Sequence, residues 1–331
     1  MAIVSALLSV VAGLAITFII YWALNWVVER AQEKWKKRLL PYVFIGPVLL
    51  LIGLFLVYPA VRTFFSSFME QGQRRGEGDT FVGLQNYIEL FTSPDFLSVL
   101  VNNVLWVLFV PALAVIVGLL VAILADRVGP RREKSFKSII FLPMAISAVA
   151  AAVAWRFIYF YAPPGNPQIY LLNAIWTSVT GSEPVPWLTI DAGRLNSFLL
   201  MAIVIWLQAG FAMVLLSSAI KGVPEETIEA ARLDGATERK TFFFVIIPQI
   251  RGTIIAVFVT ILMTVMKLFD IIYAMTGGQY NTSVLAVDFY NQLFSFQNPG
   301  KAAAVVMVLM IAVTPVIVYQ VRSYKAQEEL R

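Results

Sequence analysis

Long apolar blocks without charged residues, separated by short polar segments, are the feature that most restricts how this chain can fold. Six blocks contain no Asp, Glu, Lys or Arg, and they cover residues 1–28, 39–61, 96–125, 138–155, 195–220 and 302–321. A seventh block, 252–275, is apolar apart from Lys267 and Asp270. A helix needs about 20 residues to cross the hydrocarbon core of a membrane. We therefore predict an all-α integral membrane protein with about seven transmembrane helices, in which the seventh block is interrupted and the helix of 138–155 continues past Arg156.

The basic residues indicate how these spans are oriented. Charged residues make up only 14% of the chain, and most of its 25 Lys and Arg fall in residues 29–38, 126–137, 221–251 and 322–331. Seven spans place all four segments on one side, which is the cytoplasm by the positive-inside rule. We expect the N-terminus outside and the C-terminus in the cytoplasm. The same rule explains the net charge of +5 without a nucleic-acid partner.

The first block and two outer segments have alternative interpretations. Residues 1–28 lie where a signal peptide would, but no basic residue precedes the apolar run and the run is too long. We interpret them as a retained span, followed by a basic linker to residue 38. Residues 81–91 predict a short amphipathic helix at the surface. Residues 161–196, with five prolines, predict an ordered cap or docking surface, and an interfacial loop with aromatic anchors is the alternative.

The residue types that are missing exclude several kinds of chemistry. The chain contains no Cys and no His, which rules out disulfides, thiolate nucleophiles, Cys or His metal sites and histidine-dependent triads. The predicted spans also hold no paired carboxylates. We therefore expect no catalytic residue and no metal site, and we do not expect an enzyme.

The polar segment 223–248 predicts a helix, a sharp stop and the start of the next span. Pro224 suits the first helical position, and Glu225 and Glu226 favour the positive end of the helix dipole. Gly235 predicts the helix stop, and Pro248 the start of the next span. The apolar face of this helix is expected to consist of Ile228, Ala231 and Leu233.

The same segment resembles a known family motif. Glu229-Ala230-Ala231, three residues, Gly235, nine residues and then Val245-Ile-Ile-Pro248 resemble the EAA loop of ABC importer permeases, whose pattern is Glu-Ala-Ala-x3-Gly-x9-Ile-x-Leu-Pro. In that family the loop is the coupling helix, which docks in a groove of the ATPase subunit. The resemblance thus implies that the residues contacting the ATPase are Glu229, Ala230, Ala231, Gly235 and Pro248. The alternative, an amphipathic helix lying on the membrane, predicts a basic polar face above bulky apolar residues, whereas this helix begins with acidic residues.

Three other stretches, 81–87, 269–278 and 300–304, resemble carbohydrate permeases of the same family. The resemblance covers about residues 40–322, and the additional first span resembles the longer, maltose/α-glucoside-like subunit of a heteromeric pair. It implies a type I ABC importer transmembrane domain at 39–331 and an additional N-terminal helix and linker at 1–38. The implied partners are a second permease subunit, two ATPase subunits, an extracytoplasmic solute-binding protein and the lipid bilayer of a prokaryotic cytoplasmic (inner) membrane. The implied function is import by alternating access of an α-glucoside, trehalose or a glucosylated osmolyte.

The energy source separates this interpretation from a secondary transporter. The chain has no Gly-x4-Gly-Lys-Ser/Thr sequence, so we expect no cofactor in this chain, with ATP and Mg bound by partner ATPase subunits. An ion-gradient-driven transporter is the alternative, and it usually places acidic residues at mid-membrane. Asp270 is the one carboxylate inside the predicted spans, and Lys267, three residues earlier, is expected to pair with it on one helix face.

Substrate positions follow from the same resemblance. Alignment on Glu229 and Pro248 places the cavity-facing positions of maltose-type permeases at Val204, Leu207, Gln208, Phe211, Ile261, Thr264, Val265 and Leu268. Each set of four follows one helix face. Maltose-type subunits offer asparagines there, whereas this chain offers Gln208 and Thr264 among apolar residues, so packing positions are an open alternative. Trp155, Tyr159 and Phe160 are further candidate aromatic contacts, for which an interfacial belt is the alternative.

Overall fold

The computed structural model describes residues 33–70, 79–126 and 128–328, together with single positions and short stretches between 11 and 30. The predicted span of 1–28 lies largely outside the described residues. The chain divides into two compact units, Met1–Ser66 and Ser67–Arg331. This division does not test the predicted boundary between the N-terminal segment 1–38 and the permease core 39–331, which stays a prediction.

Among the described residues of the first unit, one stretch is long and apolar enough to cross a membrane, Leu40–Ser66. Helix α1 (Glu33–Ile52) runs through a π-helical turn (Gly53–Val57) into helix α2 (Tyr58–Ser66). The wider turn precedes Pro59, whose ring would otherwise collide with the carbonyl four residues earlier. The span is therefore continuous through Pro59.

The second unit is a helical bundle with one short hairpin. Strands β1 (Met69–Glu70) and β2 (Thr80–Phe81) pair antiparallel. The helices are α3 (Gln85–Thr92), α4 (Pro94–Asp126), α5 (Pro130–Phe141), α6 (Ala148–Tyr159), α7 (Leu171–Thr180), α8 (Leu195–Lys221), α9 (Glu225–Leu233), α10 (Glu238–Thr241), α11 (Ile247–Met266), α12 (Asp270–Thr276), α13 (Leu285–Tyr290) and α14 (Pro299–Glu328). Helices α4, α8 and α11 form the centre, where Trp106, Leu200 and Ile261 are fully buried.

Small residues allow the central helices to approach closely. A Cβ added to Gly118 of α4 would lie 2.5 Å from the Cβ of Ala212 and 2.8 Å from the backbone N of Met213, both on α8. A Cβ on Gly210 would lie 2.8 Å from the Cα of Phe141. Glycine and alanine at such crossings are typical of membrane bundles. The hydrophobic effect does not drive helices together within lipid, so close backbone contact and its dispersion energy do so instead.

The described residues contain five helical stretches able to span a membrane, or six when one bent pair is counted. The bent pair corrects the prediction of one continuous helix over 138–155. A 3₁₀ turn (Leu142–Ala145) separates α5 from α6, and the two arms are bent by 103°. Pro143 cannot continue the helical hydrogen bonds, and Ser147 caps the new helix by accepting from the N–H of Ala150 at 3.2 Å. Helix α6 does continue past Arg156, to Tyr159.

The apolar block 252–275 is interrupted, as predicted. Helix α11 ends at Met266 and α12 begins at Asp270, with Lys267 and Phe269 in non-helical conformations. The expected Lys267–Asp270 pair is wrong, because the break removes the shared helix face and the structure records no ion pair between these two described residues.

The segments at the end of the bundle remote from α9 are well ordered. Helix α3 is the short surface helix predicted at 81–91, and its Glu89 binds the Nζ of Lys301 at 2.6 Å. The hydrogen bond from Lys301 holds the pKa of the Glu89 carboxyl below its ordinary value, with a second contribution from Gln85. In the proline-rich segment 161–196, the buried side chain of Asn173 bonds the carbonyls of Phe160 and Val185 at 3.2 and 3.0 Å. This segment therefore has a defined fold, and its role as a cap or an interfacial loop stays a prediction.

A buried polar hub joins the central helices to the chain after α12. Asn102, fully buried on α4, donates to the carbonyl oxygens of Asn281 and Ser283. Asn196, fully buried at the start of α8, donates to the carbonyl of Tyr280 at 2.7 Å. Buried amides on membrane helices are costly unless satisfied, so these contacts fix where residues 280–283 lie.

Candidate functional site

The segment between α8 and α11 folds as a short helix with a defined stop. Pro224 is extended, with φ −56° and ψ 131°, so it precedes α9 and does not occupy its first turn as predicted. Gly235 has φ +80°, which confirms the predicted stop. The N–H groups of Gly235 and Ala236 donate to the carbonyls of Arg232 and Ala231, both at 3.0 Å. This pair of bonds is a Schellman motif, which satisfies the last carbonyls of the helix.

Helix α9 lies on the surface with most of its residues free of the rest of the chain. Glu229 and Ala230 are exposed, while Ile228 and Ala231 are half-buried. Leu233 is 89% exposed, so it does not belong to the predicted apolar face, which is limited to Ile228 and Ala231. An isolated exposed leucine on a helix held by so few contacts leaves an apolar and acidic surface available to another chain.

An ion pair links the two ends of the turn between α9 and α10. Arg232 bonds both carboxylate oxygens of Glu238, from Nε at 2.9 Å and from Nη2 at 3.4 Å. Both side chains are more than half exposed, so we assign this pair at most about 1 kcal/mol of stability. Its effect is geometric, because it holds the start of α10 against the end of α9.

Helix α10 leads into α11 without a loop. A π-helical turn (Phe242–Ile246) joins them, with the N–H of Ile247 bonded to the carbonyl of Phe242. Pro248 lies in the first turn of α11, as predicted, and the wide turn removes the clash between its ring and the carbonyl of Phe244. Helices α10 and α11 therefore form one continuous helical stretch, and the turn at Gly235 separates it from α9.

A cluster of charges lies where this segment leaves the bundle, and we call it the charge cluster. It consists of Asp126, Glu133, Lys137 and Lys221, with Ser217 beside them. Lys137 Nζ lies 3.1 Å from Asp126 Oδ1, and Lys221 Nζ lies 3.6 Å from the same atom. Both lysines also contact Glu133, and Lys137 contacts the hydroxyl of Ser217. The ends of α4 and α8 and the start of α5 are thereby joined four residues before α9.

Sequence reasoning missed the charge cluster, since the basic segments were interpreted only through the sign of their charge. The one available signal was local: Glu133 and Lys137 are spaced i, i+4 and favour a pair on one helix face. The partners Asp126 and Lys221 come from helices that only the folded bundle brings together.

The two predicted substrate faces meet inside the central core. Val204, Ile261 and Val265 are buried, at 2%, 0% and 4% exposure, in one hydrophobic cluster. Leu207, Phe211 and Leu268 are partly buried and pack against that cluster. Gln208 is half-buried and Thr264 is exposed, so the polar members of the set retain accessible surface.

The alternative aromatic candidates have different environments. Tyr159 is buried, and its hydroxyl donates to the carbonyl of Leu199 at 3.0 Å. The ring of Trp155 contacts the rings of Tyr159 and Trp206, with centroids at 5.4 and 5.7 Å. Phe160 is 44% exposed and is the most accessible of the three.

Comparison with a solved structure defines the fold, and a family match defines the class of protein. One subunit of a bacterial alginate ABC transporter, solved in complex with an alginate pentasaccharide-bound periplasmic protein, superimposes with a TM-score of 0.70 at 20% identity, over 88% of this chain and 95% of the other. The fold is that of a type I ABC importer transmembrane domain. Residues 114–324 match the family of binding-protein-dependent transport system inner membrane components, and the chain belongs to that family.

Two relatives match over nearly the whole chain. The osmoprotective compounds uptake permease protein GgtC of Synechocystis sp. is 43% identical over 289 residues, 87% of this chain and 100% of the relative. The alpha-glucoside transport system permease protein AglF of Rhizobium meliloti is 41% identical over 335 residues, 97% of each chain.

Membership of this family settles the general function. The chain is a multi-pass inner-membrane permease of an ATP-driven importer that works with a binding protein and an ATPase. The prediction of an ABC importer permease is confirmed over that of an ion-gradient-driven transporter. The chain is not an enzyme by itself, because ATP hydrolysis belongs to the partner ATPase.

Proposed function

We propose that this permease imports a carbohydrate of the α-glucoside class, including trehalose and glucosylated osmolytes, by alternating access. The observation that carries the proposal is the 41–43% identity, over nearly full length, to permeases named for alpha-glucosides and osmoprotective compounds. The half-buried Gln208 and exposed Thr264 supply polar groups among apolar ones, a composition suited to a small polar solute with an apolar face.

The test is uptake by the complete complex in proteoliposomes with ATP inside and binding protein outside. We expect ATP-dependent accumulation of labelled trehalose, maltose, sucrose or glucosylglycerol, with amino acids and polyamines not transported. Accumulation of none of these glucosides by a complex whose ATPase responds to its binding protein would refute the substrate class.

We further propose that Glu229, Ala230, Ala231, Gly235 and Pro248 couple this chain to the ATPase. The exposed face of α9 and the continuous path through α10 to α11 support this role. Two ATPase subunits would bind the ATP and Mg, and a second permease subunit would complete the translocation pathway. The predicted N-terminal helix and linker of 1–38 would be an addition to this core.

The proposed orientation places α9 and the charge cluster in the cytoplasm, with the N-terminus outside. A phosphatase reporter that is active only outside should be active when inserted in 71–78 and inactive when fused after Arg331, because basic residues near span ends set orientation. A fluorescent protein that matures only in the cytoplasm should give the opposite pattern. Cytoplasmic signal from the 71–78 insertion would contradict the seven-span topology.

The predicted substrate positions yield a test within the complex. We expect Gln208→Ala and Phe211→Ala to lower uptake about tenfold each, since each removes a polar or aromatic contact worth roughly 1–1.5 kcal/mol. Uptake is measured at saturating binding protein. Ile205→Val, a partly buried position on α8 outside the predicted face, is the control for packing. Wild-type rate and selectivity in both alanine variants, with normal assembly and ATP hydrolysis, would show that the positions only pack.

A further inference from the structure

Four aromatic rings gather beside the break between α11 and α12, and we call them the aromatic cluster: Phe269, Tyr273, Tyr290 and Phe294. Phe269 and Tyr273 are stacked, with centroids 4.9 Å apart and an interplanar angle of 18°. Tyr290 lies 5.2 Å from Phe269 and 4.8 Å from Tyr273, and Phe294 lies 4.7 Å from Tyr290. Two separate segments of the chain therefore build one aromatic surface.

The aromatic cluster is anchored on one side and open on the other. Phe269 is partly buried and packs against the same hydrophobic core as Val265 and Leu268. Tyr273 is 40% exposed and Phe294 is 61% exposed. The inner ring fixes the position of the outer rings, whose edges and faces remain accessible.

The break itself indicates what this open side faces. Residues 267–269 are non-helical within an apolar block predicted to lie in the membrane, and irregular backbone is tolerated there only where it is covered by protein or lines a water-filled cavity. Lys267 is exposed at the break and takes part in none of the ion pairs recorded among the described residues. An exposed cation next to the rings requires water on that side.

We propose that the aromatic cluster is a carbohydrate-binding surface of the translocation pathway, on which a glucosyl ring of the substrate stacks against Tyr273 and Tyr290. Aromatic rings pack well against the C–H face of a pyranose, and each tyrosine also ends in a hydroxyl that can bond a sugar hydroxyl. Through Phe269, the aromatic cluster adjoins the core that contains the predicted substrate positions Val265 and Leu268. This inference rests on the proposed α-glucoside function.

Two other occupants would suit an apolar aromatic surface less well. Lipid would bring the charges of Lys267 and Asp270 against hydrocarbon, which costs several kcal/mol per ion. A second permease subunit packed over the rings would bury Lys267, whose partner would then have to come from that subunit.

The test uses Tyr273→Leu and Tyr290→Leu, which keep apolar volume but lose the flat ring, in the complete complex. We expect each to reduce glucoside uptake about tenfold, while Tyr273→Phe and Tyr290→Phe stay within about threefold of wild type. Phe157→Leu, a 63% exposed ring on α6, is the matched control and should transport normally. A diazirine derivative of trehalose should label residues 269–294 of the wild-type complex, with the label displaced by unmodified trehalose.

The possible results distinguish failure of the proposed aromatic surface from failure of the proposed substrate class. Glucoside uptake by the wild type together with unchanged uptake in both leucine variants, or labelling confined to other segments, overturns the aromatic surface alone. Loss of the second permease from purified leucine variants identifies a subunit contact and also overturns it. If the wild type imports no glucoside at all, the proposed substrate class fails first.

Discussion

Gly235→Val is expected to leave the complex assembled in the membrane but to lower uptake by more than about tenfold. The φ of Gly235 is +80°, where a β-branched residue is strained by about 1–2 kcal/mol. No atom lies within 4 Å of an added Cβ, so the effect comes from the backbone and not from a clash. Relief of the strain opens the Schellman bonds to Ala231 and Arg232, and α9 loses its fixed angle.

Gly235→Asn is the matched control, because asparagine tolerates the left-handed conformation. We expect it to retain most of the uptake and the response of ATP hydrolysis to the binding protein. The valine variant should hydrolyse ATP without that response. Wild-type uptake by a normally expressed Gly235→Val or Gly235→Trp variant would show that Gly235 does not take part in coupling.

Lys137→Met is expected to cost about 2 kcal/mol of stability in the isolated complex. The substitution leaves the carboxylates of Asp126 and Glu133 close together with only Lys221 to balance them, and their side chains are 23% and 15% exposed. Removing one partner from a fully buried ion pair costs about 3–5 kcal/mol, and this cluster is partly solvated, so a smaller loss is expected. Thermal unfolding and the yield of assembled complex measure it.

Lys134→Met on the same helix is the control, because it removes the same positive charge at an exposed position. The double variant Lys137→Met with Glu133→Gln should recover part of the loss, because the uncompensated carboxylate is gone. Equal effects of Lys134→Met and Lys137→Met would show that net charge, and not the charge cluster, determines stability.

Much of the fold was predictable because hydropathy acts locally. The spans predicted at 39–61, 96–125, 195–220 and 302–321 are confirmed, since each needs only enough consecutive apolar residues. Gly235 as a helix stop was equally local, because a positive φ selects glycine. The bend at Pro143 was readable in principle from the proline followed by Ser147 as a cap.

The remainder depends on contacts between distant parts of the chain. The charge cluster needs Asp126 and Lys221 to meet, and the aromatic cluster needs Tyr273 to meet Tyr290. The resemblance to maltose-type permeases placed Val204 and Ile261 at cavity-facing positions, but a resemblance does not tell whether these positions meet solute or protein in this chain. Here both are buried in the core of the chain, and their role in solute contact stays a prediction.

The polar hub has a consequence for how the protein is made. Asn102 lies in an apolar helix that leaves the ribosome long before its partners, the carbonyls of Asn281 and Ser283, have been synthesised. Until then the N–H groups of its side-chain amide lack their final acceptors, a costly state for a helix already in lipid. The side-chain amide of Asn196 on α8 likewise lacks its bond to the carbonyl of Tyr280 until that residue has been synthesised. The polar hub can therefore be completed only after translation has passed residue 283. A ribosome that stalls earlier leaves spans that are inserted but lack these bonds, a species that membrane proteases should recognise.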